Sequence, residues 1–164
     1  ITLTGVLNDF QTSSTELRNL RLLERCAALT DDQLETATPG GFGTIRRTLE
    51  HLVNSEQSYF SRISTGRRYD RPEGAPPPTL AEMRELASAS GQGLAEWAPK
   101  IAPGDTVEVD WDGMPRDVPK SIILAQAINH ALEHRTQIAA ALTQLGVEPP
   151  DMQPWEFFDQ LGSS

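Results

Sequence analysis

The chain has 164 residues, 38% of them hydrophobic and 23% charged, and a formal net charge of −9. That length fits a single domain over residues 1–164 with a sizeable core, and the acidic balance argues against nucleic acid as a partner, because phosphate binding needs a basic face. No apolar run approaches the ~20 residues of a membrane helix, so no membrane partner is expected.

The first residues, ITLTGVLNDF, read as the start of an amphipathic helix and not as a signal peptide, and the expected compartment is the cytoplasm. Residues 3–29 carry Leu3, Val6, Leu7, Phe10, Leu17 and Leu20 at helical spacing. Ser13 and Ser14 interrupt that stripe. Cys26, the single cysteine, excludes a disulfide framework and a thiolate zinc site; in RLLERCAAL it reads as a small, half-buried helix residue.

A turn-rich stretch follows and ends in TPGGFG, with Thr44 placed to cap a second helix. Ile45, Leu49, Leu52, Tyr59, Phe60 and Ile63 share one face of that helix, and Glu56 falls inside the apolar arc. A carboxylate there wants a partner: an arginine first, otherwise a metal-ligand imidazole or a metal-bound water. Residues 64–78, rich in Arg, Gly and Pro, predict a long crossover loop. Its basic cluster, Arg67, Arg68 and Arg71, is diluted by Asp70 and Glu73 and reads as a solvated surface.

Thr79 and Glu82 form a capping-box pattern that starts a third helix, whose face runs Leu80, Met83, Ala87, Ser90, Leu94 and Trp97. Between residues 105 and 118 the period drops to two, with Val107, Val109 and Trp111 alternating, and Asp112-Gly113 offers a hairpin turn. Pro119 can open the last long helix, which ends at Leu145 with Gly146 as its stop. The aromatic tail, residues 154–158, predicts a short helix packing back. Four long helices, one crossover and a small β-hairpin insertion point to an all-α four-helix bundle.

The three histidines carry the chemistry. His130 and His134 in NHALEHRTQI lie one turn apart, with Cβ atoms about 5–6 Å from each other, so both imidazoles can reach one metal ion. Their stripe, Ile123, Ala127, His130, His134, Ile138, Ala141 and Leu145, makes both of them core positions. His51, at the edge of the second helix's arc, supplies a third ligand if the two helices meet. Three histidines with open positions suit a metal that activates water or a thiol, not a closed structural zinc. The small residues at 13, 14 and 87–91 either leave space around such a metal or let helices approach closely. Arg135 and Gln137 either bind an anionic substrate, orient a ligand or lie on the surface.

His130-Ala131-Leu132-Glu133-His134 also matches the inverted zinc-peptidase signature, with the glutamate as general base. That reading needs a third ligand on a later helix, and only 30 residues follow His134. Glu133 also points about 100° away from His134 on the helix. A solvated Glu133, or one bonding a neighbouring helix, is the expectation.

Together, TIRRTLEHLVNSEQSYF over residues 44–60, the long crossover and the HALEHRTQI run resemble the DinB-like (DinB/YfiT) metalloenzyme superfamily across essentially the whole chain. The resemblance implies an up-down-down-up bundle, commonly a homodimer, holding a divalent metal such as nickel or zinc, or else iron or manganese. The ligands it implies are His51, His130 and His134, and it assigns no catalytic residue. It further implies a metal-dependent transferase or hydrolase in which a metal-bound low-molecular-weight thiolate, mycothiol-like, or a hydroxide attacks a small electrophilic substrate. The alternative is a non-catalytic, stress-related dimeric bundle in which the metal is structural.

Overall fold

A computed structural model of the chain describes residues 3–153 and Trp155, with side chains from residue 12 onward except that of Trp111. The protein is mostly helical, with one two-stranded antiparallel sheet. The helices are α1 (Leu3–Ala27), a short α2 (Asp31–Leu34), α3 (Ile45–Thr65), α4 (Leu80–Trp97) and α5 (Lys120–Gln144). The strands β1 (Thr106–Trp111) and β2 (Met114–Pro119) sit between α4 and α5.

Local chemistry sets most of these boundaries. The Thr44 hydroxyl accepts from the Arg47 amide at the start of α3, and Gly66, in the left-handed region, ends that helix. Thr79 and Glu82 form the expected capping box of α4. The hairpin pairs Thr106 with Pro119 through to Trp111 with Met114. Its turn residues, Asp112 and Gly113, both take positive φ, as a tight two-residue turn requires.

Helix α1 packs on α4 and α5, and α3 packs on α4 and α5, so each long helix has two long neighbours. The apolar side chains form two clusters. One gathers Leu22, Leu23, Cys26, Leu49, Met83 and Ile138; the other joins Ile63, Leu94, Ile123 and Leu124 to Val107 of the hairpin.

Among the buried polar side chains, one from each long helix joins a linked group: Asn19, Glu56, Ser90 and Arg135. On α3, α4 and α5 they fall between positions belonging to the two apolar clusters. Asn19 Nδ2 donates to Glu56 at 2.6 Å, and the Ser90 hydroxyl donates to its other oxygen at 2.8 Å. Arg135 Nη1 donates to Asn19 Oδ1 at 2.7 Å. Burial pushes the Glu56 carboxyl up to about 7 against the pull of Ser90, Arg135 and Asn19. Burial also drives Arg135 down to about 9.

Three expectations need correction here, and one pair of alternatives is decided. Glu56 does not bond an arginine directly; Asn19 stands between it and Arg135. Arg135 is not a surface residue but one of the largest fully buried side chains, 2% exposed. Cys26 is fully buried rather than half-buried, and burial lifts its thiol to about 12, which removes it as a nucleophile. The glycines of α4 serve close approach: a Cβ at Gly91 would sit 2.6 Å from the Glu16 Cβ on α1, and one at Gly93 would overlap the Phe60 ring. The apolar stripe at Leu3, Val6, Leu7 and Phe10, the Trp111 side chain and the tail at residues 154–158 lie outside the described residues, Trp155 excepted. Trp155 is exposed.

Candidate metal centre

The seam between α3 and α5 brings the three predicted histidines together. His51 comes from the middle of α3, and His130 and His134 from consecutive turns of α5. His134 is buried, while His51 and His130 are half-buried. His130 Nε2 lies 3.1 Å from His51 Nε2 and also 3.1 Å from His134 Nε2. One potential ligand atom from each ring lies within 4.8 Å of the other two.

Protons cannot satisfy this arrangement. An imidazole nitrogen presents one in-plane hydrogen or one lone pair, so His130 Nε2 can make a well-aligned hydrogen bond with only one of its two neighbours. A cation at the convergence point would accept all three lone pairs. Three imidazole nitrogens, two pairs of them 3.1 Å apart and all within 4.8 Å, are a donor set whose chemistry fits a divalent metal.

The surrounding electrostatics keep lone pairs available. Burial, then the charges of His134 and His51, push His130 down to about 4. Burial and His134 also lower His51. His134 Nδ1 is 2.7 Å from Gln137 Oε1, an acceptor, so Nδ1 carries the hydrogen and Nε2 faces the centre bare. Gln137 is held in that sense because its amide nitrogen donates to the Gly40 carbonyl at 2.8 Å.

The loop before α3 therefore belongs to the site. Phe42 stacks flat on His51, with ring centroids 4.0 Å apart and planes 9° from parallel. The Thr38 hydroxyl donates to the Gly43 carbonyl and contacts the Thr48 hydroxyl. A Cβ at Gly41 would overlap the Thr38 side chain, so TPGGFG is a close-packed clamp and not merely a turn. On the other side, Tyr59 sets its ring edge-on to His130, with centroids 5.6 Å apart.

Sequence reasoning located the three imidazoles and gave orienting a ligand as one of three readings of Gln137. It missed Phe42, Gly40 and Tyr59 as parts of the site. The one available signal was the glycine-flanked aromatic of TPGGFG. Glu133 is exposed and accepts from Gln137 Nε2 at 3.5 Å, the solvated position expected of it. Glu56 serves the buried polar group and touches none of the histidines. No helix among the described residues is long and apolar enough to cross a membrane.

A family model described as the DinB family matches residues 11–160. No curated protein matches the chain.

Proposed function

The chain belongs to the DinB family, and from that premise we propose that it is a metal-dependent enzyme with His51, His130 and His134 as ligands of one divalent ion. One observation carries the reading: a single nitrogen, His130 Nε2, sits 3.1 Å from two other imidazole nitrogens, which hydrogen bonding cannot satisfy. Three neutral imidazoles suit zinc or nickel, with iron or manganese as weaker matches. A divalent ion bound there would supply positive charge that lowers the pKa of an adjacent thiol or water.

The chain's own groups do the rest. Gln137 fixes the His134 tautomer, Phe42 covers one face of His51, and Tyr59 limits the volume beside His130. The side of His51 facing a cavity stays open to a small molecule. The reaction proposed is transfer from a low-molecular-weight thiol to an electrophilic substrate, with hydrolysis as the variant when water takes the thiol's place.

The architecture proposed is an up-down-down-up four-helix bundle. The 66–79 connection supports it, being long enough to return the chain along the bundle between two parallel helices. A second copy is the macromolecular partner proposed. Ile122 and Leu132, 58% and 52% exposed on the outer face of α5, are the apolar anchors offered for it, and the mass in solution checks that pairing.

Cobalt titration tests the enzyme reading. One ion per chain should bind with a visible spectrum, and a low-molecular-weight thiol should alter that spectrum. No binding would remove the metal; a spectrum indifferent to every thiol would leave water as the nucleophile.

A further inference from the structure

We propose that the cavity beside His51 is an anion-binding substrate subsite, selecting a small molecule that carries a carboxylate or phosphate group. The cavity has a volume of about 390 Å³ and is walled by His51, Tyr59 and Arg62 of α3 together with Arg68, Tyr69 and Arg71 of the crossover loop. That size suits a small molecule and excludes a macromolecular chain.

The charge on this wall runs against the whole protein. The chain carries a net −9, yet three guanidinium groups face the cavity and Asp70 is the one carboxylate there. Asp70 accepts from Arg68 at 2.8 Å, at a well-exposed position where the pair is worth little. Arg71 is oriented by donating from Nη2 to the Pro76 carbonyl, which also folds the loop back on itself. Arg62 has no ion-pair partner among the described residues and stands in the last turn of α3. The 67–71 cluster is solvated as expected, with Arg67 and Arg68 exposed, and two of its three arginines also line this cavity.

All three cations are arginines, whose planar fork matches carboxylate and phosphate oxygens in a bidentate way. Tyr59 and Tyr69 add two rings that can flank an apolar stem. Because His51 also lines the cavity, an anion held by Arg62 could direct the rest of its molecule toward the three imidazoles. The subsite gains its chemical purpose from the metal reading above, but its binding does not depend on it.

The test uses the purified chain, with its metal content measured. Succinate and methylphosphonate are titrated separately by calorimetry at low salt. At least one should bind and weaken as salt rises. Arg62→Gln, which removes a charge-assisted hydrogen bond, should weaken it about tenfold or more. Arg84→Gln, an exposed change on α4, should leave affinity unchanged. Succinate binding alone assigns a carboxylate, and methylphosphonate binding alone a phosphate. Binding of neither anion, or equal binding by Arg62→Gln with its helical circular dichroism intact, overturns the proposal. Failure of the metal site would appear instead in the cobalt titration, whatever the anions do.

Discussion

Arg135→Ala should cost the protein about 3–5 kcal/mol, a large share of the ~5–15 kcal/mol that holds a domain of this size together. The guanidinium is buried beside the carboxylate of Glu56, and Asn19 bridges the two, donating to one and accepting from the other. Truncation leaves Asn19 Oδ1 without its donor and Glu56 without its countercharge, in surroundings from which water is excluded. It also opens a void where one of the largest buried side chains had been. Arg135→Met paired with Glu56→Gln should recover most of the loss, because both charges leave the interior together. Urea midpoints of the three proteins read the comparison. A loss below about 1 kcal/mol in Arg135→Ala would show that the buried group contributes no stability.

The same group sets a pH dependence. Burial raises the Glu56 carboxyl to about 7 from an ordinary value of 4.5, so the folded state holds this proton more tightly than the unfolded chain does. Its contribution is therefore full below the unfolded value and is lost as pH rises through about 7. The stability of the wild type relative to Glu56→Gln should accordingly fall between pH 4.5 and 8, by up to ~3 kcal/mol. A difference that stays flat across that window would mean the carboxyl ionises as freely inside as outside.

Which parts of this molecule were legible in its sequence follows from the range of the interactions involved. Thr44, Thr79, Asp112-Gly113 and Gly146 each act within a few residues, so they could be read directly. The histidine pair was legible for the same reason, since a four-residue spacing fixes a shared helix face. Helix α2 escaped because four residues show no periodicity, although Thr30 and Gln33 form a capping box that was there to be read. Arg135 escaped for a different reason. The inward face of α5 is wider than one stripe and includes Leu124, Ala131 and Leu142 as well, so the position after His134 is inside too. The partners of Glu56 and the Gly40 carbonyl that holds Gln137 belong to elements distant in sequence. Asn19 and Ser90 lie 37 and 34 residues from Glu56, and the Gly40 carbonyl is 97 residues from Gln137. No local pattern encodes such pairings. What the sequence did carry was the discord itself: a carboxylate on an apolar arc and an aromatic among glycines.

His130→Ala should abolish metal binding more completely than any other single change outside the core, lowering affinity by well over ~100-fold. The expectation rests on position: its Nε2 is the atom in contact with both other imidazole nitrogens, at 3.1 Å each. Without it only His51 and His134 remain, two rings with centroids 4.8 Å apart. The ring is half-buried and meets the rings of Tyr59, His51 and His134, so the fold should survive and circular dichroism should be unchanged. Gln137→Ala provides a graded companion, because it removes the acceptor that fixes the His134 tautomer and leaves all three ligands in place. A loss of about 10–100-fold is expected there. Proton release sharpens the comparison. His130 is pushed down to about 4 and His51 is also lowered, so these two rings hold their protons less tightly than ordinary imidazoles. Zinc binding at pH 5.5 should therefore displace fewer protons than the nearly three expected from ordinary imidazoles near 6.5. Calorimetry in buffers of different ionisation enthalpy measures that number. A release close to three, or full zinc affinity in His130→Ala, would show that these rings do not act as one preformed donor set.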